Sequence, residues 1–156
     1  MAILNENVAL EDWARDTFKG QPQKVLLPRG KMLFKLSKYH PINTSTGGAI
    51  TQFWSDYEST SKGDWGWEGL QRMTKHFGVS EQELARVTAA VKIEWNELTY
   101  AWRIVLNEPV YGWHGPAKSQ YRTGQSGRKL PGMNMQYFIP NLAGWHVTVL
   151  DRLRAR

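Results

Sequence analysis

Apolar residues alternate with polar ones in several short segments of this chain, which is the pattern of strands with one buried face. One such strand is predicted to begin near Thr99, and Tyr100, Trp102, Ile104 and Leu106 lie on one side of it. Further strands are predicted at Lys24–Leu27, Met32–Leu36, Ala49–Ser55, Val110–Trp113, Met133–Ile139 and Trp145–Val149. Turn residues such as those of Asn107–Pro109 separate neighbouring strands, so we expect mostly hairpin connections.

Two other segments have helical spacing. In the first, Asn5 or Asn7 can cap a helix that stops at Gly20. Its apolar positions are Leu10, Trp13, Ala14, Thr17 and Phe18. In the second, Ser80 and Glu83 form a capping box. Apolar residues then follow at spacings of three and four, at Leu84, Val87, Val91, Trp95 and Leu98. Before this second helix lies the polar, glycine-bearing segment Asp56–Gly69, for which no element is predicted.

These elements predict a mixed α+β fold, in which mainly antiparallel short strands accompany two amphipathic helices. The 156 residues are expected to form one domain, because a chain of this length buries about two-thirds of its unfolded surface. Residues 1–20 form an N-terminal helical segment of this domain, and residues 24–150 form its core. The segment Gly115–Lys129 is rich in glycine, serine and basic residues, and it is predicted to be a mobile loop between strands.

The formal net charge of +6 indicates an anionic partner. Nucleic acid, nucleotide phosphates and an acidic protein all satisfy that description. The eight Trp and six Tyr residues add rings on which a base, a sugar or a nicotinamide can stack. A basic cluster at Arg122, Arg128 and Lys129 would supply the salt-sensitive surface of an RNA-binding or single-strand-binding module.

Several classes of chemistry have no support in the sequence. Cysteine is absent, which excludes disulfides and cysteine-based catalysis. The four histidines are scattered without metal-ligand spacing, so no metal site is expected. No phosphate-binding P-loop and no Gly-x-Ser-x-Gly motif is present. No apolar run is long enough to span a bilayer, and the first residues lack the pattern of a signal peptide. We therefore expect no membrane contact, and secretion or delivery, if it occurs, by a route that uses no such peptide.

Three motifs together resemble the ADP-ribosyltransferase-like toxin domains of bacteria. They are Leu27-Pro-Arg-Gly with Leu33-Phe-Lys-Leu-Ser, then Gly48 with Gln52-Phe-Trp-Ser, and then Leu130-Pro-Gly with Gln136-Tyr. Among these domains the pattern is similar to the NAD-degrading toxins of the tuberculosis necrotizing toxin type. The resemblance implies an ADP-ribosyltransferase-like fold for the core, NAD as the substrate, and action in the cytoplasm of a target cell. It also implies an immunity or inhibitor protein as a partner.

The resemblance assigns roles to individual residues. In the family the first motif carries a basic residue for the NAD phosphates, and the second carries a hydroxyl residue beside an aromatic one. The third motif carries glutamate in transferases and often glutamine in NAD glycohydrolases. The expected catalytic residues are Gln136 and Ser55. The expected residues of the cofactor site are Lys35, Arg29, Trp54, Phe53 and Arg122. Lys35 stands where arginine is usual, so its contact with phosphate would be a point contact rather than a bidentate one.

The glutamine favours hydrolysis of NAD to nicotinamide and ADP-ribose, because an amide takes a proton from a nucleophile less readily than a carboxylate does. ADP-ribosyl transfer to a protein or nucleic acid is the alternative, for which Glu108 or Glu94 would have to reach the site. A non-enzymatic nucleic-acid-binding module is a second alternative. If Gln136 holds the 2′-hydroxyl of the ribose, Gln136→Ala should abolish most activity, whereas Gln136→Glu should retain nicotinamide release.

Overall fold

The computed structural model describes residues 2–43, 48–58, 66–89, 98–121, 129–130, 132 and 134–154. Within these residues an eight-stranded antiparallel sheet is the central element, and two pairs of very short strands lie outside it. The predicted α+β class is confirmed. No helix in the described part of the chain is long and apolar enough to cross a membrane.

The helices are α1 (Asp12–Arg15), α2 (Gly66–Phe77) and α3 (Glu81–Ala89), and one turn of 3-10 helix covers Gly144–His146. The strands are β1 (Gln23–Leu27), β2 (Met32–Ser37), β3 (Ile42–Asn43), β4 (Ala49–Ile50), β5 (Phe53–Asp56), β6 (Tyr100–Leu106), β7 (Val110–Pro116), β8 (Gln120–Tyr121), β9 (Lys129–Leu130), β10 (Met135–Phe138), β11 (Val147–Val149) and β12 (Leu153–Arg154). The order in the main sheet is β1-β7-β10-β5-β2-β6-β11, and β12 also pairs with β6. The two small pairs are β3 with β4 and β8 with β9.

Alternation along the central strands gives the sheet two different faces. The helix face carries Phe34, Phe53, Ser55, Gln136 and Phe138. Phe34 packs there against α2 and α3 through Trp67, Leu70 and Leu84. Phe138 packs on the same face against the N-terminal segment through Ala14 and Phe18. The opposite face carries Leu33, Lys35, Trp54, Ile104 and Tyr137, and most of these residues belong to the largest apolar core.

The predicted strands are confirmed with some changes of length. Ala49–Ser55 is interrupted into β4 and β5, and the strand predicted to begin at Val110 continues to Pro116. Trp145 lies in the 3-10 turn rather than in the last strand. Part of the predicted loop Gly115–Lys129 extends β7 and forms the β8–β9 pair, while residues 122–128 lie outside the described residues.

The helices differ more from the predictions. The second predicted helix begins as expected, since the N–H of Glu83 donates to Ser80 Oγ at 3.0 Å. The described helix ends at Ala89, and Leu98, which was assigned to it, is not helical, with a φ of 57°. Val91 and Trp95 lie outside the described residues. The prediction missed α2 altogether, because its start at Gly66 lies within a glycine-bearing polar segment.

The N-terminal helix predicted around Leu10–Phe18 is reduced to the single turn of α1. After it the chain makes a further turn, in which Thr17 N donates to Ala14 O and Phe18 N to Arg15 O, and Phe18 then forms a β-bridge with Ala117, just after β7. Two backbone bonds fix this pairing, from Lys19 N to Pro116 O at 2.8 Å and from Lys118 N to Thr17 O at 2.9 Å. From Phe18 onward these bonds to the sheet take the place of helical ones, so a tertiary contact overrides the local helical pattern.

Candidate active site

The central sheet divides at β5. Phe53 and Trp54 pair with Phe138 and Tyr137 of β10, whereas Ser55 and Asp56 pair with Phe34 and Leu33 of β2. Strand β5 therefore changes partner between Trp54 and Ser55, and β10 continues beside β7 alone. If the register of β5 with β10 is continued by one residue, Gln136 comes opposite Ser55. The two predicted catalytic residues thus lie on one face, at the point where the two halves of the sheet separate.

Gln136 is half-buried, and its side chain reaches the N-terminal segment. The amide nitrogen donates to the backbone oxygen of Thr17 at 3.2 Å and approaches Thr17 Oγ1 at 3.4 Å. The Thr17 hydroxyl in turn donates to Ala14 O at 2.6 Å. Gln136 is therefore held by a defined contact on the helix face rather than projecting freely into solvent.

A glycine of β7 makes room for this contact. Gly115 is the cross-strand partner of Gln136, and a Cβ atom built on it would lie 3.0 Å from Cδ1 of Phe18. The Phe18 ring is almost completely buried there, against Ala14, Trp113 and Phe138. A side chain at position 115 would push the N-terminal segment away from the sheet and with it the oxygen atoms that Gln136 contacts.

Aromatic rings flank Gln136 on the same face. The Phe53 and Phe138 centroids are 5.1 Å apart, and Trp13 packs edge-on against both, at 6.3 and 5.4 Å. Trp13 is 49% exposed, so much of its indole surface is available to a ligand. Its ring nitrogen donates to the carboxylate of Glu11. Phe53 was a predicted cofactor residue, and its half-buried position beside Trp13 is compatible with that role.

Lys35 and Trp54 lie on the opposite face. The Lys35 ammonium donates to Thr51 Oγ1 at 3.2 Å and lies 5.6 Å from the centre of the Trp54 ring. Burial lowers the pKa of Lys35 to about 8. Within the described ranges none of the ion pairs involves this lysine. It is therefore a lysine whose positive charge is poorly solvated and is not balanced by a carboxylate in these pairs.

Trp54 does not fit the role of a stacking wall. Its side chain is 1% exposed and belongs to the largest core cluster, and its ring nitrogen donates to Thr51 O at 2.7 Å. The predicted cofactor contact is corrected to a core position, because the alternation that places Phe53 and Ser55 on the helix face points Trp54 into the protein. The structure thus places Gln136, Ser55 and Phe53 on one face of the sheet, and Lys35 and Trp54 on the other.

Arg29 lies in the exposed turn between β1 and β2. It lines a cavity of about 510 Å³ together with Lys31, Glu58, His114 and Tyr137, among others. The His114 and Tyr137 rings stack at 4.3 Å, and Lys31 forms a 2.6 Å salt bridge with the buried carboxylate of Asp56. Because Tyr137 is on the opposite face, the cavity opens there and not beside Gln136. Arg122, the remaining predicted cofactor residue, lies outside the described residues.

Glu108, a candidate for a transfer reaction, is remote from Gln136. It lies in the turn before β7 and faces His146 at 3.6 Å, whereas Gly115, the partner of Gln136, lies near the far end of β7. The length of that strand separates the two by about 20 Å. Burial lowers the pKa of His146, and the Glu108 carboxylate opposes that effect. Glu94, the other candidate, lies outside the described residues.

Two residues of this site were not expected from the sequence. Thr17 and Trp13 occupy positions of a predicted amphipathic helix, where their apolar spacing indicated packing and no contact with Gln136. Gly115 is the one sequence feature near this contact. A glycine in a strand indicates that another part of the chain comes close, but it does not identify which segment. In the described residues no three His, Asp or Glu side chains cluster as metal ligands do.

No protein-family model and no curated protein sequence matches this chain. Two solved structures share its fold. One is Tne2 in complex with Tni2, with a TM-score of 0.56 and 10% identity, covering 88% of this chain and 96% of that one. The other is Rhs1-CT in complex with its cognate immunity protein RhsI1, with a TM-score of 0.55 and 10% identity, covering 88% of this chain and 84% of that one. At this identity the likeness shows a common fold.

Proposed function

We propose that this protein is an ADP-ribosyltransferase-like toxin or effector domain that hydrolyses NAD to nicotinamide and ADP-ribose. The observation that carries the proposal is the position of Gln136 and Ser55 together on the helix face, where β5 leaves β10 for β2. A ligand can reach side chains at such a division without breaking a paired strand. The exposed ring of Trp13 and the half-buried ring of Phe53 supply apolar surface beside it.

The proposed chemistry needs little from the protein. Cleavage of the bond between ribose and nicotinamide passes through a cationic, oxocarbenium-like sugar, as in glycoside hydrolysis. The Gln136 carbonyl oxygen would accept a hydrogen bond from the ribose 2′-hydroxyl and stabilise that charge. Nicotinamide leaves as a neutral molecule, so no general acid is required. Ser55 would help to orient the same ribose.

The phosphates of NAD need a cationic partner, and Lys35 is the better candidate on physical grounds. Its charge is poorly solvated in the free protein, so a phosphate beside it would relieve an existing cost. Lys35 and Gln136 lie on opposite faces of the sheet, so the dinucleotide would have to reach around the point where β5 leaves β10. Arg29, at the other end of β2, is the alternative phosphate contact.

The position of Glu108 argues against this residue as the base of a transfer reaction, while Glu94, the other candidate, lies outside the described residues. A protein or nucleic-acid nucleophile would need a base beside the reacting sugar, and Glu108 lies the length of β7 away from it. Water can enter the division of the sheet without such a partner. ADP-ribosyl transfer therefore remains the second candidate function.

The same proposal implies a partner protein and a cellular location. One of the structures with this fold was solved with a cognate immunity protein, and this chain carries a net charge of +6. We propose that an acidic immunity protein binds this chain and that the chain is delivered into the cytoplasm of a target cell.

The test is to incubate the purified protein with NAD and analyse the products. Equal amounts of free nicotinamide and ADP-ribose support hydrolysis. Label from the adenosine part of NAD that becomes attached to added protein or nucleic acid supports transfer instead. Unconsumed NAD together with strongly salt-dependent oligonucleotide binding would replace the proposal with a nucleic-acid-binding module.

A further inference from the structure

We infer that Thr17 is a positioning residue for Gln136, and that its backbone oxygen makes this site selective for an amide at position 136. The inference rests on the proposed function, since it concerns how Gln136 presents its carbonyl oxygen to the ribose. It assigns a role in the reaction to the N-terminal segment, which lies outside the three motifs that define the site.

The contacts fix which way the amide points. The Thr17 hydroxyl donates its proton to Ala14 O at 2.6 Å, so its oxygen offers only lone pairs toward Gln136. The backbone oxygen of Thr17 is also an acceptor. Both atoms beside the Gln136 side chain therefore require a donor, and the NH2 group must face them. The amide oxygen consequently faces away from Thr17, free to accept a hydrogen bond from a ligand.

The position of the Thr17 oxygen is itself well determined. It accepts a second hydrogen bond, from Lys118 N at 2.9 Å, which uses its other lone pair. The next residue, Phe18, is buried, and Lys19 N donates to Pro116 O at 2.8 Å. Hydrogen bonds at Thr17 and at Lys19 thus fix the position of the Thr17 backbone oxygen relative to the sheet. A fixed acceptor is what a positioning role requires, because a mobile one would not select one amide orientation.

A carboxylate cannot replace the amide in this arrangement. In Gln136→Glu at neutral pH, a charged oxygen would face the Thr17 oxygen atoms, and no proton would lie between them. The variant side chain either turns away from Thr17 or takes up a proton. The protonated acid has one O–H donor and restores the contact, with its carbonyl oxygen again directed toward the ligand. Partial burial and the two neighbouring acceptors both favour this neutral form, so they raise the pKa of the introduced carboxyl.

This consequence reverses the expectation from the sequence, by which Gln136→Glu retains nicotinamide release. We now expect its release at pH 8 to be at least about tenfold below wild type, and to recover by about tenfold for each pH unit below 8 until the carboxyl is protonated. The experiment measures nicotinamide release by Gln136→Glu relative to wild type from pH 5 to pH 9. Gln21→Glu, an exposed position in the loop before β1, is the matched control and should follow wild type at every pH.

Two further measurements separate positioning from folding. In urea unfolding, the stability of Gln136→Glu relative to wild type should fall as pH rises from about 4.3, because the folded state binds the proton more tightly than the unfolded state. This readout needs no NAD activity. Thr17→Val removes the 3.4 Å hydroxyl contact and keeps the backbone oxygen, so Gln136→Glu should still recover its nicotinamide release at low pH when it is combined with Thr17→Val.

The outcomes distinguish this inference from the proposed function. If wild type releases nicotinamide, Gln136→Ala does not, and Gln136→Glu is fully active with no pH dependence of its own, then Gln136 acts without selection by Thr17 and the inference is overturned. If the relative stability of Gln136→Glu is also independent of pH, the contact itself is absent in solution. Wild-type activity in folded Gln136→Ala would instead remove the proposed site. A pH-dependent rescue of Gln136→Glu supports both.

Discussion

Lys35→Met tests whether this lysine carries a poorly solvated charge. Methionine keeps the unbranched shape of the side chain and removes the ammonium group, which in wild type donates to Thr51 Oγ1. The pKa of Lys35 falls from 10.5 to about 8 on folding because of burial. At about 1.4 kcal/mol for each pH unit, the charged form costs the folded state about 3 kcal/mol below pH 8. The lost hydrogen bond to Thr51 offsets about 1 kcal/mol of the gain from removing that charge.

We therefore expect Lys35→Met to be more stable than wild type by about 2 kcal/mol at pH 7. The sign of the pH dependence is definite. Between pH 8 and pH 10.5 the folded lysine is neutral while the unfolded one still binds a proton, so wild type gains stability as pH rises. The advantage of the variant should shrink across that range.

The assay is urea unfolding at pH 7, 8, 9 and 10, with Lys75→Met on the exposed side of α2 as the control. The control should show no such convergence. An advantage that is absent at pH 7, or that stays constant up to pH 10, would refute the assignment of a buried charge. If the proposed phosphate contact is also correct, the same variant will bind NAD more weakly although it is more stable.

Two more variants test the surroundings of Gln136. Trp13→Ala should raise the KM for NAD by about tenfold with little change in kcat, since the half-exposed ring would contact the ligand without touching the reacting bond; the lost packing against Phe53 and Phe138 should lower the unfolding temperature, and an unchanged KM in the folded variant would remove Trp13 from the site. Gly115→Ala should destabilise the protein by about 1 to 3 kcal/mol in urea unfolding, because the new methyl group meets the Phe18 ring at 3.0 Å. It should lower kcat as well, and a stable, fully active Gly115→Ala would show that the N-terminal segment can move without consequence.

Local pattern was sufficient for much of the fold. The alternation around Trp102 predicts β6 correctly. Ile104 and Leu106 on one side of this strand belong to the largest core, and Ala101 on the other side belongs to the core under α2 and α3. The capping box at Ser80 predicts the start of α3, since the side chain of a cap residue bonds to its own first turn. Such interactions join residues that are close together in the chain, so they can be predicted from the sequence alone.

Long-range contacts explain what the sequence did not reveal. Helix α2 begins at a glycine with a φ of 68°, and its burial against Phe34 comes from a strand far away in the chain. The N-terminal segment abandons its helical pattern because β7 offers hydrogen bonds to Thr17 and Lys19. The alternation over Met133–Ile139 puts Gln136 and Phe138 on one face of the strand, but it does not show that the N-terminal segment covers that face around Phe138.

The pairing of β5 with its two neighbouring strands also could not be predicted from the sequence. The sequence identifies Ser55 and Gln136 as members of two motifs, and only the strand register shows that they lie on the same face, next to the point where the sheet divides. The same register places Trp54 in the core and Lys35 on the opposite face. The motifs therefore supplied candidate residues, and the topology determines which of them lie on one face of the sheet.

The most direct test of the account is nicotinamide release from NAD by wild type and by Gln136→Ala. The variant should fold, because Thr17 O keeps its hydrogen bond from Lys118 N and no buried acceptor loses all its partners. We expect equal release of nicotinamide and ADP-ribose by wild type, and a kcat lower by about two to three powers of ten in the variant with much less change in KM. A folded Gln136→Ala protein with wild-type kcat would contradict it.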